Sequence, residues 1–229
     1  PPIAFIARLR IETAAQLLRY SSLAVEEIAY NIGYESPASL SKAFKSRYGI
    51  TPTQYRTDKN RYIMKRETIN ENLALKAPKL VILEDKSLIY VSLMGEYGSL
   101  NYDDAYQRLW HVVKEQKLFT KGIETLCISH DDPKVTEANQ QRSDVCLAIH
   151  KPAKPQDGVS CKTLAGGKYA MFAYQGPYDN LAAVYDSAMR WLVNSEYELR
   201  DEPMFEKYLN NCQRTSAEKL KTEVYIPIR

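Results

Sequence analysis

Two hydrophobic periods alternate along the chain. In "AFIARLRIETAAQLLRY" apolar Ala7, Ile11, Ala14 and Leu18 recur at i, i+4, i+7 and i+11, which predicts a helix over residues 4–19. A short helix fits "VEEIAYNIGY", with Val25, Ile28, Ala29 and Ile32 as its buried stripe. Its cap position is Ala24, which has no side-chain oxygen to accept an amide hydrogen bond. Gly33 stops it, because a left-handed turn costs glycine no Cβ clash. The next helix has Ser36 as N-cap, Pro37 in the first turn and Leu40, Phe44 and Tyr48 at i, i+4 and i+8. Gly49 ends it, and Pro52 opens a last short turn that closes near Tyr55-Arg56.

Beyond a polar stretch the period shortens from a helix's to a strand's. "KLVILEDKSLIYVSLMGE" reads as two apolar, β-branched strands turned at 84–87. A helix is expected from about Ser99 to Lys117, with Leu100, Tyr106, Leu109, Trp110 and Val113 on its buried side. Strands are expected at 125–129 and 144–149, joined by the polar "HDDPKVTEANQQRS" as an exposed hairpin connection.

The same order then repeats. Gly95 and Gly176, Tyr97 and Tyr178, Leu100 and Leu181, Trp110 and Trp191, and Leu118 and Leu199 all stand 81 positions apart (176 − 95). "SDVCLAI" also resembles "TEVYIPI", setting Asp144 opposite Glu223. One copy has a single helix over a few strands and little core, so the two halves are expected to share one sheet about a pseudo-twofold axis. The fold class is therefore α+β: an N-terminal all-α helix-turn-helix segment, then a duplicated antiparallel-sheet domain with two long helices. The domains are 1–56, a linker 57–77, and 78–229.

Charge separates the same parts. Residues 1–61 hold nine Lys/Arg and five acids, leaving 22 bases and 23 acids for the rest. A basic segment beside a near-neutral one suggests a nucleic-acid reader joined to something else. Two helices around a glycine turn form a helix-turn-helix, whose second helix offers Pro37, Ala38, Ser39, Ser41, Lys42, Lys45 and Arg47 to DNA. Small residues at its start permit close entry to a major groove, and Lys42 can reach a base edge or phosphate.

Metal chemistry finds no support. Cys127, Cys146, Cys161 and Cys212 are widely spaced, and His111, His130 and His150 complete no zinc spacing. No cofactor is expected. No run of eighteen apolar residues suggests a membrane span, and the thiols read as reduced ones in a cytoplasmic protein. The glycines of "GGKYAMFAYQGPYDNL" lack the strand–GxxxxGK[ST]–helix order of a phosphate loop and read as turns flanking one strand. The chain opens Pro1-Pro2-Ile3-Ala4, without Met or signal pattern, and is expected to begin inside a longer protein.

Duplication leaves a groove between the two helices, and such junctions favour small molecules. Seventeen tyrosines are present, including Tyr90, Tyr97, Tyr102 and Tyr106 in one copy and Tyr169, Tyr174, Tyr178 and Tyr185 in the other. Aromatic faces with a buried carboxylate suit a flat, apolar or cationic ligand. Glu223 is the first candidate acid and Glu206, in "EPMFEKYLN", the second. The proposed ligand residues are Glu223, Tyr225, Tyr97, Tyr178, Trp110, Trp191, Phe205 and Tyr208. Val224, Ile226 and Ile228 alternate with Glu223 and Tyr225, so those two share the strand face away from the helices if the apolar face packs on them.

Two resemblances sharpen this. Ile28-Ala29, Gly33-Tyr34, Ser39, Phe44-Lys45, Gly49, Pro52 and Tyr55-Arg56 resemble the second half of the DNA-binding region of AraC/XylS-family regulators, over residues 3–57. That family joins two helix-turn-helix units by a long helix, here 4–19; the first unit is not in this sequence. Tyr178, Trp191, Phe205-Glu206, Tyr208-Leu209 and Thr222-Glu223 through Ile228 resemble the GyrI-like effector-binding domain, over 78–229. That resemblance implies two pseudo-symmetric halves, a central cleft for lipophilic and often cationic compounds, and Glu223 as the pocket acid. "NNCQRTSAEKL" departs from the proline-rich loop often found there. The combined expectation is a transcription regulator with promoter DNA, a small-molecule effector and RNA polymerase as partners. The alternative is a hydrolase using Glu223 and a cleft tyrosine; a protein-binding module that inhibits a partner is a third.

Overall fold

The computed structural model describes residues 2–57 and 75–229, which fall into two compact units. The segment 57–77 read as a linker lies mostly outside the described residues.

The helical unit holds α1 (Pro2–Tyr20), α2 (Val25–Asn31), α3 (Pro37–Tyr48) and α4 (Pro52–Thr57), together with Asp132–Glu137. Its core is Ile11, Ala14, Ala15, Leu18, Ile28, Ala29, Leu40, Phe44 and Tyr55. Ala7, expected in the buried stripe of α1, is exposed. Phe44, Tyr48 and Tyr55 form a ring cluster with centroids 4.7–5.6 Å apart. Gly33 and Gly49 both take positive φ, +81° and +77°, so each turn uses the conformation that only glycine adopts without strain. Ser36 caps α3 by accepting the Ser39 amide at 3.2 Å. Ala24, which cannot cap, leaves its amide to the Glu27 carboxylate at 2.7 Å, half of a capping box.

The polar stretch expected to be an exposed connection is partly buried. Val135 joins the helical core, Tyr20 donates to Asp132 at 2.8 Å, and Tyr48 donates to the Val135 carbonyl at 3.1 Å. One valine and a set of polar anchors explain the difference, because a hydrophilic composition does not prevent burial when each polar group finds a partner.

The second unit is an eight-stranded sheet with two helices. Its strands are β1 (Lys79–Leu83), β2 (Lys86–Met94), β3 (Glu124–Ser129), β4 (Arg142–Ala148), β5 (Ser160–Leu164), β6 (Gly167–Gln175), β7 (Phe205–Tyr208) and β8 (Lys221–Pro227). Its helices are α5 (Tyr102–Glu115) and α6 (Leu181–Val193). A 3-10 turn, Tyr97–Ser99, occupies the start predicted for the first of them. Trp110, placed on the buried side by sequence, is 39% exposed and stacks on Phe119; Ala105, Leu109, Val112 and Val113 carry the packing instead.

The strand order is β1-β6-β8-β7-β3-β4-β2-β5, all antiparallel. It reads alike from both edges when β1 is exchanged with β5, β2 with β6, β3 with β7 and β4 with β8. The repeat therefore folds as a twofold: β5 begins 81 positions after β1 (160 − 79) and β6 begins 81 after β2 (167 − 86). Each β1-β2 and β5-β6 turn delivers its strands to opposite edges of the sheet, so the hairpins interlock rather than pair internally. The first half packs α5 on its own strands, and the two halves share the core of the other face, where Leu88, Leu126 and Ile128 meet Tyr169, Phe205 and Tyr225.

One sheet face carries α5 and α6. Ile89, Val91, Val145 and Leu147 pack there against α5, and Phe172 meets Trp191 of α6 edge-on at 5.6 Å. The other face holds a second core of Leu88, Leu126, Ile128, Cys146, Leu164, Tyr169, Met171, Phe205 and Tyr225.

Candidate ligand site and DNA-reading helix

Register decides which acid meets the tyrosines. Glu206 lies opposite Cys127 on one side and Val224 on the other, and Tyr208 lies opposite Thr222. Cross-strand partners share a face, so Glu206, Tyr208, Cys127 and Thr222 all belong to the helix face. They stand on β7, β3 and β8, at and beside the centre of the sheet, where the two repeats meet.

Glu206 is 5% exposed. Tyr208 donates its hydroxyl to the carboxylate at 2.5 Å. The buried Tyr185 hydroxyl lies close enough to favour the charged form, yet it makes no hydrogen bond of full geometry. The buried Thr222 hydroxyl is also without a partner. Tyr102, Tyr106, Tyr178 and the Cys127 thiol complete the electrostatic surroundings of the acid. Burial raises the Glu206 pKa, and the hydrogen bonds from Tyr208 and Tyr185 only partly offset it. Burial likewise pushes Tyr178 up to about 12 and drives the Cys127 thiol far above its ordinary range. Among the described residues no Lys, Arg or His pairs with Glu206.

Glu223 faces the other way. Its cross-strand partner is Lys207, whose ammonium lies 3.9 Å from it and 2.7 Å from Glu124. Tyr225 donates to Glu223 at 2.7 Å and stacks on Phe205 with centroids 4.5 Å apart. The structure thus divides the ligand residues proposed from sequence. Tyr178 and Tyr208 stand together, with ring centroids 5.1 Å apart, on the Glu206 side. Glu223, Tyr225 and Phe205 stand together on the opposite face. Trp191 stacks on Tyr197 at 6.0 Å, and Trp110 is turned outward. Tyr97 is committed elsewhere: its hydroxyl accepts the Asp131 amide at 3.0 Å and lies 3.0 and 2.9 Å from the Asp131 and Arg142 carbonyls.

From sequence, Tyr185 stood only among the groove tyrosines, Cys127 only among the reduced thiols, and Glu206 second to Glu223 as the candidate acid. The available signal was alternation: Tyr208 lies two residues after Glu206, so a strand through "FEKY" had to place both on one face.

In the helical unit, α3 presents Ala38, Ser39, Lys42 and Lys45 exposed, with Pro37 and Ser41 half-buried. Arg47 is turned inward, 3.0 Å from Glu137 and 3.9 Å from the buried Glu12, which Arg8 also holds at 3.2 Å.

Comparison with known proteins agrees with this architecture. The model of the GyrI-like small molecule binding domain matches residues 76–229, about two thirds of the chain. The chain belongs to the GyrI-like family. Residues 1–58 match a helix-turn-helix domain. Over 132 residues this GyrI-like chain is 30% identical to the probable transcriptional regulator YgiV of Escherichia coli strain K12, covering 56% of this chain and 81% of that one. Fifty-five residues are 42% identical to a putative AraC-like transcription regulator of Streptomyces lividans, covering 24% of this chain and 18% of that one. The solved structure of an EcmrR–DNA complex shares the fold, with a TM-score of 0.57 at 16% identity over 77% of this chain and 63% of the other. The GyrI-like chain is thus a transcription regulator, with an AraC-type DNA-binding unit joined to a small-molecule-binding domain. Among the described residues no helix is long and apolar enough to cross a membrane.

Proposed function

We propose that this regulator senses a lipophilic, aromatic cation at Glu206, with Tyr178, Tyr185 and Tyr208 as walls. The observation that carries the reading is a carboxylate buried in the sheet centre without a basic partner. An isolated buried charge is costly, so the site favours either a neutral acid or an incoming positive charge. Aromatic rings around it add cation–π attraction, worth about 0.5–2 kcal/mol per contact. Glu223, already shared with Tyr225 and near Lys207, has less need of a ligand. In the helical unit Ala38, Ser39, Lys42 and Lys45 face promoter DNA, and contact with RNA polymerase is part of the same proposal.

Thermal melts test the ligand class. A quaternary aryl-ammonium ion raises the melting temperature of the wild type more than its neutral carbon isostere does. Tyr178→Ala weakens that difference. Equal stabilisation by ion and isostere would remove the cation from the account.

A hydrolytic role is the second reading, favoured by the 2.7 Å Tyr225–Glu223 pair. Turnover of an electrophilic ring compound that disappears in Glu223→Gln would install it.

A further inference from the structure

The groups around Glu206 share one chemical trait. Tyr208 comes from β7, Cys127 from β3, Tyr102 and Tyr106 from α5, Tyr185 from α6, and Tyr178 from the turn before α6. Each is a weak acid, neutral while it keeps its proton, and none can balance a negative charge. The nearest base along the chain, Lys207, faces the opposite side of β7 and binds Glu124 there. Tyr106 is already spent, donating to the Leu126 carbonyl at 3.0 Å.

Such a shell accommodates a neutral carboxyl better than a carboxylate. A protonated Glu206 keeps Tyr208 on one oxygen and offers a hydrogen toward the Tyr185 oxygen, which otherwise has no well-formed bond. A permanent cation entering the same space reverses the preference, because the anion then gains a partner of opposite sign in a medium of low dielectric.

We propose that the effector cation enters this site in exchange for the proton on Glu206. The exchange conserves charge within the pocket: the carboxyl O–H bond breaks, the proton leaves to solvent, and the ligand's positive charge takes its place. It rests on the assignment of Glu206 as the ligand acid and adds a consequence that the assignment alone does not contain. Effector affinity becomes a function of pH. In the window where free protein holds the proton, raising the pH by one unit strengthens binding by up to about tenfold, and the dependence flattens once the free site is ionised. A neutral ligand of the same shape shows the opposite sign, binding best where the acid keeps its proton.

The experiment is calorimetry of the intact chain with naphthylmethyl-trimethylammonium and its neutral isostere neopentylnaphthalene. Each is titrated in two buffers of different ionisation enthalpy at several pH values. The cation releases close to one proton per site at the acid end of the window, and its affinity rises with pH. Neopentylnaphthalene releases none. In Glu206→Gln the cation binds more weakly and without pH dependence. Cation binding to the wild type at constant affinity, with no net proton release, overturns the exchange and leaves the ligand assignment intact. Failure of the cation to bind the wild type at any pH overturns both.

Discussion

Tyr97 and Tyr178 occupy equivalent positions in the two repeats, 81 residues apart (178 − 97), yet their hydroxyls have opposite commitments. Tyr97 ties the ends of β3 and β4 through the Asp131 and Arg142 backbones. Tyr178 sets its ring on Tyr208, beside Glu206. One copy of the motif has kept a structural role while the other lines the proposed pocket. Tyr97→Phe therefore costs about 1–3 kcal/mol of stability, since it removes the acceptor of the buried Asp131 amide, while the Arg142 carbonyl keeps the His130 amide. Tyr178→Phe leaves stability nearly unchanged, and Tyr178→Ala lowers cation affinity. Urea unfolding paired with ligand titration separates the two; equal destabilisation by both Phe variants would contradict the asymmetry.

Stability should record the raised pKa of Glu206 with a definite sign. A carboxyl that binds its proton more tightly when folded stabilises the fold below its unfolded value, and that contribution is lost as pH rises through the folded value. Wild type therefore loses melting temperature relative to Glu206→Gln as pH climbs from about 4. Parallel curves for the two proteins would show that burial does not perturb this acid.

Asp144 gives the opposite sign. Burial alone would raise its pKa, but hydrogen bonds from His130 at 2.7 Å, from Lys162 and from Ser92 at 2.5 Å overcome that and hold it well below the usual range. Its contribution is present above the unfolded carboxylate value and lost as pH falls through the folded one. Asp144→Asn costs about 3 kcal/mol at neutral pH, leaving Lys162 without its ion pair. The cost shrinks in acid. A pH-independent loss would assign the effect to packing instead.

For DNA, Lys42 and Arg47 separate. Lys42→Ala weakens binding and reduces the salt slope by about one counterion. Arg47→Ala acts on the helical unit itself, because Glu12 and Glu137 hold the guanidinium; its stability falls by roughly 1 kcal/mol or more. Gel shifts at several salt concentrations, with melts alongside, read both. A salt slope unchanged by Lys42→Ala would remove that lysine from the phosphate contacts.

Much of this fold could be read from residues alone, because its signals are local or repeated. Gly33 and Gly49 marked turns that only glycine makes easily, and Ser36-Pro37 marked a helix start. The offset of 81 announced a twofold sheet. The helix side of β8 also followed from alternation, with Val224 and Ile226 on one face and Glu223 and Tyr225 on the other. The choice of Glu206 for the proposed ligand site did not. Alternation in the four-residue β7 puts Glu206 and Tyr208 on one face but does not say which face that is. The importance of Glu206 comes from β7 and β3 pairing at the sheet centre, a long-range relationship that composition does not encode. Trp110 shows the same limit: it was expected in the buried stripe of the helix, but its side of α5 faces outward.

The claim on which the functional account depends is that Glu206, and not Glu223, receives the ligand's charge. Calorimetric titration of one quaternary aryl cation into wild type, Glu206→Gln and Glu223→Gln at fixed pH tests it. The account predicts a loss of about tenfold or more, about 1.4 kcal/mol, in Glu206→Gln, with Glu223→Gln within about twofold of wild type. Loss of binding in Glu223→Gln with full affinity in Glu206→Gln would contradict it.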